Sequence, residues 1–255
     1  MTPPLALLTD FGLADPWVGV MKGVILSVAP GLSLVDLAHE VPPGDVLAGA
    51  LHLDAAVDFF PPDTLFLAVV DPGVGTARRA LAARVGSWRF VLPDNGLLTA
   101  VLERHPLHAA WSAEDPAFHL SSPGRTFEGR DVFAPVAAWW MAGTDPARFG
   151  PAVADPIRIP MPRARRVPGG WEGEVLLLDR FGNAVTDLPA PPGAVARAAG
   201  VAFPVASTYG AVPAGASLAV EGSTGRLELA VNGGSAATIH GLVRGTPVRL
   251  EVPGT

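Results

Sequence analysis

The sequence predicts an α/β protein: an N-terminal α/β domain with a mainly parallel sheet, followed by a smaller C-terminal antiparallel β domain. Three observations predict it. Through the first half, apolar runs of strand length alternate with segments of helical period. Residues 151–170 hold five prolines and no helical period. From residue 173 onward the apolar runs are short and separated by Gly, Pro, Asn and Ser, as in a barrel or a sandwich. The expected boundaries are 1–155 for the α/β domain, 156–172 for a Pro-rich linker or crossing segment, and 173–255 for the β domain.

"LALLTD" (5–10) is a continuous apolar run ending in a polar residue, the pattern of a buried parallel strand. Segment 17–29 carries Val18, Met21, Val24, Ile25 and Val28 at helical spacing, and Pro30 stops it. "SLVDL" (33–37) is a second strand. Segment 45–60 places Val46, Ala50, Leu53, Val57 and Phe60 on one face, with Asp45 as N-cap. "TLFLAVVD" (64–71) is the clearest strand. Strands at 79–85 and 88–92, a helix near 97–105 and a helix over 131–143, with Asp131 as its cap, complete the first domain. "EVLLLD", "SLAVEG", "RLELAV" and "PVRLEV" are strands of the second.

Composition excludes several function classes. The chain has 255 residues, is 49% hydrophobic and carries a formal charge of −6, which argues against a general nucleic-acid surface. Its one basic cluster, "RARR" (163–166), falls in the Pro-rich stretch. The chain contains no cysteine, so it has no disulfides, thiolate nucleophiles or cysteine-ligated metals. No leader-like segment or membrane-length apolar run is evident, and the cytoplasm is the expected compartment. The six histidines are scattered without metal-ligand spacing, so no metal is expected. No GxSxG occurs, which leaves a serine hydrolase without support.

The chemistry concentrates in a few polar clusters. In open parallel sheets, ligands bind beyond the carboxyl ends of the strands. Asp10 and Asp71 end the first and third expected strands, so both should face that crevice. Either alone more simply begins a turn; two, each followed by glycine in "TDFG" and "DPGVG", put a site on nearly equal footing with that reading. "VVDPGVGTARR" (69–79) has a glycine-rich loop but lacks the Lys–Ser/Thr ending of a phosphate loop, and a strand follows it. It does place Asp71 and Arg78 on either side of a tight turn, where an arginine would orient a carboxylate. "TFEGRDVFAP" (126–135) gathers Glu128, Arg130 and Asp131 in a chain only 16% charged. "PDNG" (93–96) and "DRFGN" (179–183) each have a turn-forming explanation.

Taken in order, "LLTDFG", "DPWVGVMKG", "VDLAHEV", "VVDPGVGTARR", "PDNGLL", "TFEGRDVFAP" and "DRFGNAVT" resemble the S-adenosyl-L-methionine hydroxide adenosyltransferases, relatives of the fluorinating and chlorinating adenosyl synthases. The resemblance runs from about residue 5 to about residue 250. It implies a C-terminal domain that is barrel-like, a homotrimer with active sites between neighbouring subunits, and hydrolysis of S-adenosyl-L-methionine to adenosine and methionine with no further cofactor. Carried over by motif, Asp10 would hold the ribose hydroxyls, and Phe181, Asn183 and Tyr209 would contact adenine. Asp179 would face the methionine ammonium and Ser223 its carboxylate. Asp71 and Arg78 match two members of the family's water-positioning Asp–Arg–His set. The third falls on Glu128, where the family pattern reads "TFHGRD".

The implied reaction suits such residues. The sulfonium at C5′ is already an excellent leaving group, so the protein has only to align a water and take its proton. Asp71 is the leading base, with Arg78 orienting it; Glu128 is an alternative base or a structural partner of Arg78 or Arg130. Two rivals stand beside the hydrolase: a non-catalytic adenosine or S-adenosylmethionine binder, because the histidine is absent, and a halide-dependent synthase. The synthases carry Ser at the position of Gly129 and an aromatic at that of Asp71, which opposes the latter.

Overall fold

The computed structural model describes residues 3–121, 124 and 126–253, and the chain divides into two compact units, Met1–Met161 and Pro162–Thr255. The first contains β1 (Leu5–Thr9), α1 (Trp17–Val28), β2 (Leu34–Ala38), α2 (Val46–Val57), β3 (Leu65–Val69), β4 (Ala80–Val85), β5 (Trp88–Pro93), α3 (Thr99–Arg104), β6 (Leu107–Ser112) and α4 (Ala134–Met141). Its six-stranded sheet has the order β2-β1-β3-β5-β4-β6. β1 pairs in parallel with β2 and β3, and β3 with β5. β4 is antiparallel to both of its neighbours, so it alone runs against the other five.

Period-two alternation divides the apolar strand residues between two cores. Leu5, Leu7, Leu65, Leu67 and Val69 face the layer containing Met21 and Ile25 of α1 and Val136 and Ala137 of α4. Ala6, Leu8, Phe66 and Ala68 face Leu53 and Val57 of α2 and Val101 of α3. A sheet covered on both faces explains why β1 and β3 read as unbroken apolar runs. α1 buries Val18, Met21 and Ile25, one stripe at helical spacing, and ends just ahead of Pro30.

α2 begins where expected. The Asp45 side chain accepts from the Ala48 N–H at 3.0 Å. Asp45→Ala should therefore cost about 1 kcal/mol of stability in urea unfolding.

Two elements depart from the sequence reading. β6 lies where no element was expected; its pairing with β4 from Leu81↔Ser112 onward sustains it. The fourth helix starts before Asp131, in a π-helical turn spanning Gly129–Phe133, so Asp131 is not its N-cap. Asp131 sits buried inside that turn, its carboxylate taken by the Arg130 fork at 2.6 and 2.9 Å. The Pro-rich stretch is an extended crossing over the first unit: Val153 N–H donates to Ala110 O, Ile157 N–H to Asp94, and Ile159 N–H to Thr99.

The second unit is antiparallel throughout its ladder. It comprises β7 (Arg165–Val167), β8 (Gly170–Leu178), β9 (Ala184–Thr186), β10 (Val195–Ala198), β11 (Val201–Pro204), β12 (Ser217–Glu221), β13 (Leu227–Val231), α5 (Ala236–His240) and β14 (Pro247–Glu251). The order β11-β10-β14-β8-β9-β13-β12 nearly closes on itself, since Val205 bridges Ala219 at the two ends. β8 pairs with β14 through its first half and with β9 through its second, bending at an irregularity between Val175 and Leu177. Val175, Phe203, Leu229 and Leu250 fill the barrel. Among the described residues, no helix is long and apolar enough to cross a membrane.

Candidate active site

From β1 the chain passes through α1 to one neighbour and, later, through α2 to the other. β1 and β3 therefore flank a topological switch point, and a crevice opens beyond their carboxyl ends. A cavity of about 250 Å³ lies there, lined by Asp10, Phe11, Asp71, Phe127, Glu128 and Gly129.

Asp10 follows β1 directly. Its Oδ2 accepts from the Gly44 N–H at 2.8 Å. Burial pushes its carboxyl above the ordinary value, against the pull of that hydrogen bond, and the charge of Asp71 adds to the push. The "VDLAHEV" motif supports the turn from behind. Thr9 Oγ1 and His39 Nδ1 share a 2.9 Å hydrogen bond, and His39 Nε2 meets Asp36 at 3.0 Å. Asp36 accepts from Lys22, the single lysine, at 2.7 Å, and the His39 carbonyl accepts from the Gly12 N–H.

Asp71, Arg78 and Glu128 form one buried cluster. Arg78 Nε reaches both Asp71 oxygens at 3.0 and 2.9 Å, and its Nη2 bonds to Asp71 and to Glu128. The Asp71, Glu128 and Arg78 side chains are only 4, 9 and 10% exposed. Burial disfavours the guanidinium charge, but the two carboxylates outweigh it and hold Arg78 above its ordinary value. Phe133 supports the guanidinium from 5.0 Å. Arg79 turns away and pairs with Asp94. "PDNG" proves structural: Asp94 also accepts from Ile157, and Asn95 Nδ2 donates to the Val70 carbonyl.

The π-helical turn aims Glu128 at this cluster, and such wide turns recur at functional sites. Gly129 allows it: a Cβ there would stand 3.1–3.2 Å from the rings of Phe127 and Phe11. These two phenylalanines line the cavity and were not singled out from sequence, although both lie within quoted motifs.

In the second unit, Asp179, Phe181, Asn183, Tyr209 and Ser223 all line one cavity of about 750 Å³. "DRFGN" is a self-bonded loop between β8 and β9. Asp179 Oδ1 accepts from the Phe181 and Asn183 N–H groups, each at 2.8 Å, and Oδ2 from Asn183 Nδ2 at 2.8 Å. Gly182 takes φ +81° to close the turn. The loop holds Phe181 outward, 79% exposed, where its ring lines the cavity. Tyr209 donates its hydroxyl to Glu228 at 3.0 Å. Burial, then the charges of Glu228 and Asp179, push the phenol up to about 12, so it remains a donor. Glu228, absent from the sequence-derived candidates, is a further carboxylate lining this cavity.

Comparison with known proteins shows the family. The "SAM hydroxide adenosyltransferase N-terminal domain" model matches residues 5–150 and the C-terminal domain model residues 173–249. An (R)-S-adenosyl-L-methionine hydrolase of Thermus thermophilus is 48% identical, covering 97% of this chain and 99% of its own. A fluorinase of an Actinoplanes species is 31% identical over 73% of this chain and 72% of its own. The crystal structure of an uncharacterized conserved protein from Thermotoga maritima superposes with a TM-score of 0.91 at 34% identity, covering 97% of this chain and all of that one. Two family models over most of the chain, with a relative at 48% identity, establish that the protein belongs to the SAM hydroxide adenosyltransferase family.

Proposed function

We propose that the protein hydrolyses S-adenosyl-L-methionine to adenosine and L-methionine by in-line attack of water on ribose C5′. The observation that carries this reading is the Asp71–Arg78–Glu128 cluster beside Asp10 at the β1/β3 switch point. Its three carboxylates and one guanidinium leave two negative charges in excess, a field that draws in a sulfonium cation. The names of the related hydrolases support the same reaction.

In the proposed site, Asp10 accepts from the ribose hydroxyls and Asp71 takes a proton from the attacking water. The water oxygen bonds to C5′ as the C5′–S bond breaks, and the bond pair leaves with methionine sulfur. Arg78 holds Asp71 in register through its two-point contact. Glu128, where the family pattern has histidine, shares Arg78 Nη2 with Asp71. Phe181 and Tyr209 offer aromatic faces to adenine and Asn183 a polar edge; Asp179 and Ser223 serve the methionine end. Homotrimers with active sites between neighbouring subunits, in the cytoplasm, complete the proposal.

The excess negative charge disfavours a halide nucleophile. Two unit charges 4 Å apart repel by roughly 4 kcal/mol at an effective dielectric near 20. The tie of Glu128 to Arg78 favours one second reading, a binder without turnover. Incubation of purified protein with S-adenosyl-L-methionine separates them: adenosine and methionine should accumulate in equal amounts, with no dependence on added chloride. Tight adenosine binding without turnover would establish the binder instead.

A further inference from the structure

Glu228 is a carboxylate around which the second unit's cavity is built. On β13 it lies between Leu227 and Leu229, both buried in the barrel, and strand alternation turns it to the opposite face, where it lines the cavity. Tyr209 holds Oε2. Among the described residues, Oε1 has no hydrogen-bond donor. A Cβ at position 222 would stand 1.9 Å from Oε1, so Gly222 is required for the carboxylate to occupy its place. The cavity lining contains Asp179, Glu221 and Glu228 but no lysine, arginine or histidine. Burial raises the Glu228 carboxyl above its ordinary value, with the Tyr209 hydroxyl opposing and Asp179 adding to it. A half-buried carboxylate with one oxygen open to the cavity and no cation in the lining offers an acceptor to a ligand that carries a donor.

The aromatic faces indicate which donor. Glu228 is bonded to the hydroxyl edge of Tyr209, so a flat base packed against that ring brings its in-plane groups toward Oε1. We propose that Glu228 determines base specificity: Oε1 accepts a hydrogen bond from the 6-amino group of adenine, and the same carboxylate repels the 6-oxo group of hypoxanthine. This deepens, and rests on, the adenosyl reading given above. A site built to bond one polar group rejects the analogue that lacks it, because the bound base then shields the acceptor from water and leaves it unpaired.

Titration calorimetry on the intact protein tests this with adenosine, inosine and purine riboside, which has no 6-substituent. The wild type should bind adenosine about tenfold or more tightly than either analogue. Glu228→Gln keeps the shape but can present an amide N–H, so it should abolish the preference over inosine. The variant should fold at least as well as the wild type at neutral pH. A carboxyl raised in the folded state loses stability as pH rises from its unfolded value through its folded one, and the amide does not.

Equal wild-type affinity for adenosine and purine riboside would overturn the assignment without any variant. So would an undiminished adenosine preference in Glu228→Gln. Weakened L-methionine binding with that preference intact would also overturn it, giving the carboxylate to the ammonium instead. Failure of the wild type to bind any nucleoside would overturn the adenosyl reading itself, and this assignment with it.

Discussion

Asp71→Asn should lower turnover of S-adenosyl-L-methionine by roughly 10²- to 10⁴-fold, the usual contribution of a positioned base, while adenosine affinity stays near that of the wild type. The amide keeps the shape of Asp71 and one acceptor for Arg78, but it cannot take a proton from water. Arg78 remains anchored to Glu128, so the cluster should hold its geometry. Single-turnover measurement separates this loss from product release. Glu128→Gln should cost far less, because the amide oxygen can still accept from Arg78 Nη2 and Nε still holds Asp71. Full single-turnover activity in Asp71→Asn would remove Asp71 from the base role and pass it to Glu128.

Arg78→Met should destabilise the first unit by about 3–5 kcal/mol, the usual cost of removing one partner from a buried ionic cluster. Methionine fills much of the same volume, so packing against Phe133 is largely kept and the loss is electrostatic. What remains is two carboxylates, 4 and 9% exposed, with their shared cation gone. Urea unfolding should report the loss, and a second change, Glu128→Gln, should recover part of it. That non-additivity is the signature of residues sharing one partner. A loss under about 1 kcal/mol would instead mean that water reaches both carboxylates, as at a surface pair.

Much of this arrangement is legible in the sequence. β1 and β3 announce themselves because both faces are covered, and Asp45 announces α2 because its cap bond is local. Asp10 and Asp71 could be placed in the crevice because strand ends are easy to locate in apolar runs. What escaped depends on distant residues. β6 carries the exposed His108 and the small Ala109 and Ala110, and only its pairing with β4 makes it a strand. The π-helical turn escaped because nothing local separates an i→i+5 bond from an α-helical one; the contact of Glu128 with Arg78, fifty positions away, accompanies it. Arg78 was legible as the partner of Asp71; what the structure adds is that Asp94 claims Arg79. Glu228 lies within the expected strand "RLELAV" with no local signal of its own; its significance comes from Tyr209 and from the space above Gly222.

The reversed strand β4 has a consequence for how such a site can diversify. In an all-parallel sheet, the chain leaving β3 would have to cross to the far edge and back before it could supply a second group to the crevice. Because β4 starts at the same end of the sheet at which β3 finishes, Asp71 and Arg78 both belong to one ten-residue connection, 70–79, although β5 lies between the two strands in the sheet. Asp10, which faces the same cavity, sits on a different connection. Two of the groups assigned to the nucleophile, Asp71 and Arg78, can thus change within a single short stretch, with Glu128 and Gly129 supplied by the turn ahead of α4, while the hold on the sugar is inherited intact. A fold wired in this way lets relatives exchange one attacking species for another without rebuilding the rest of the pocket.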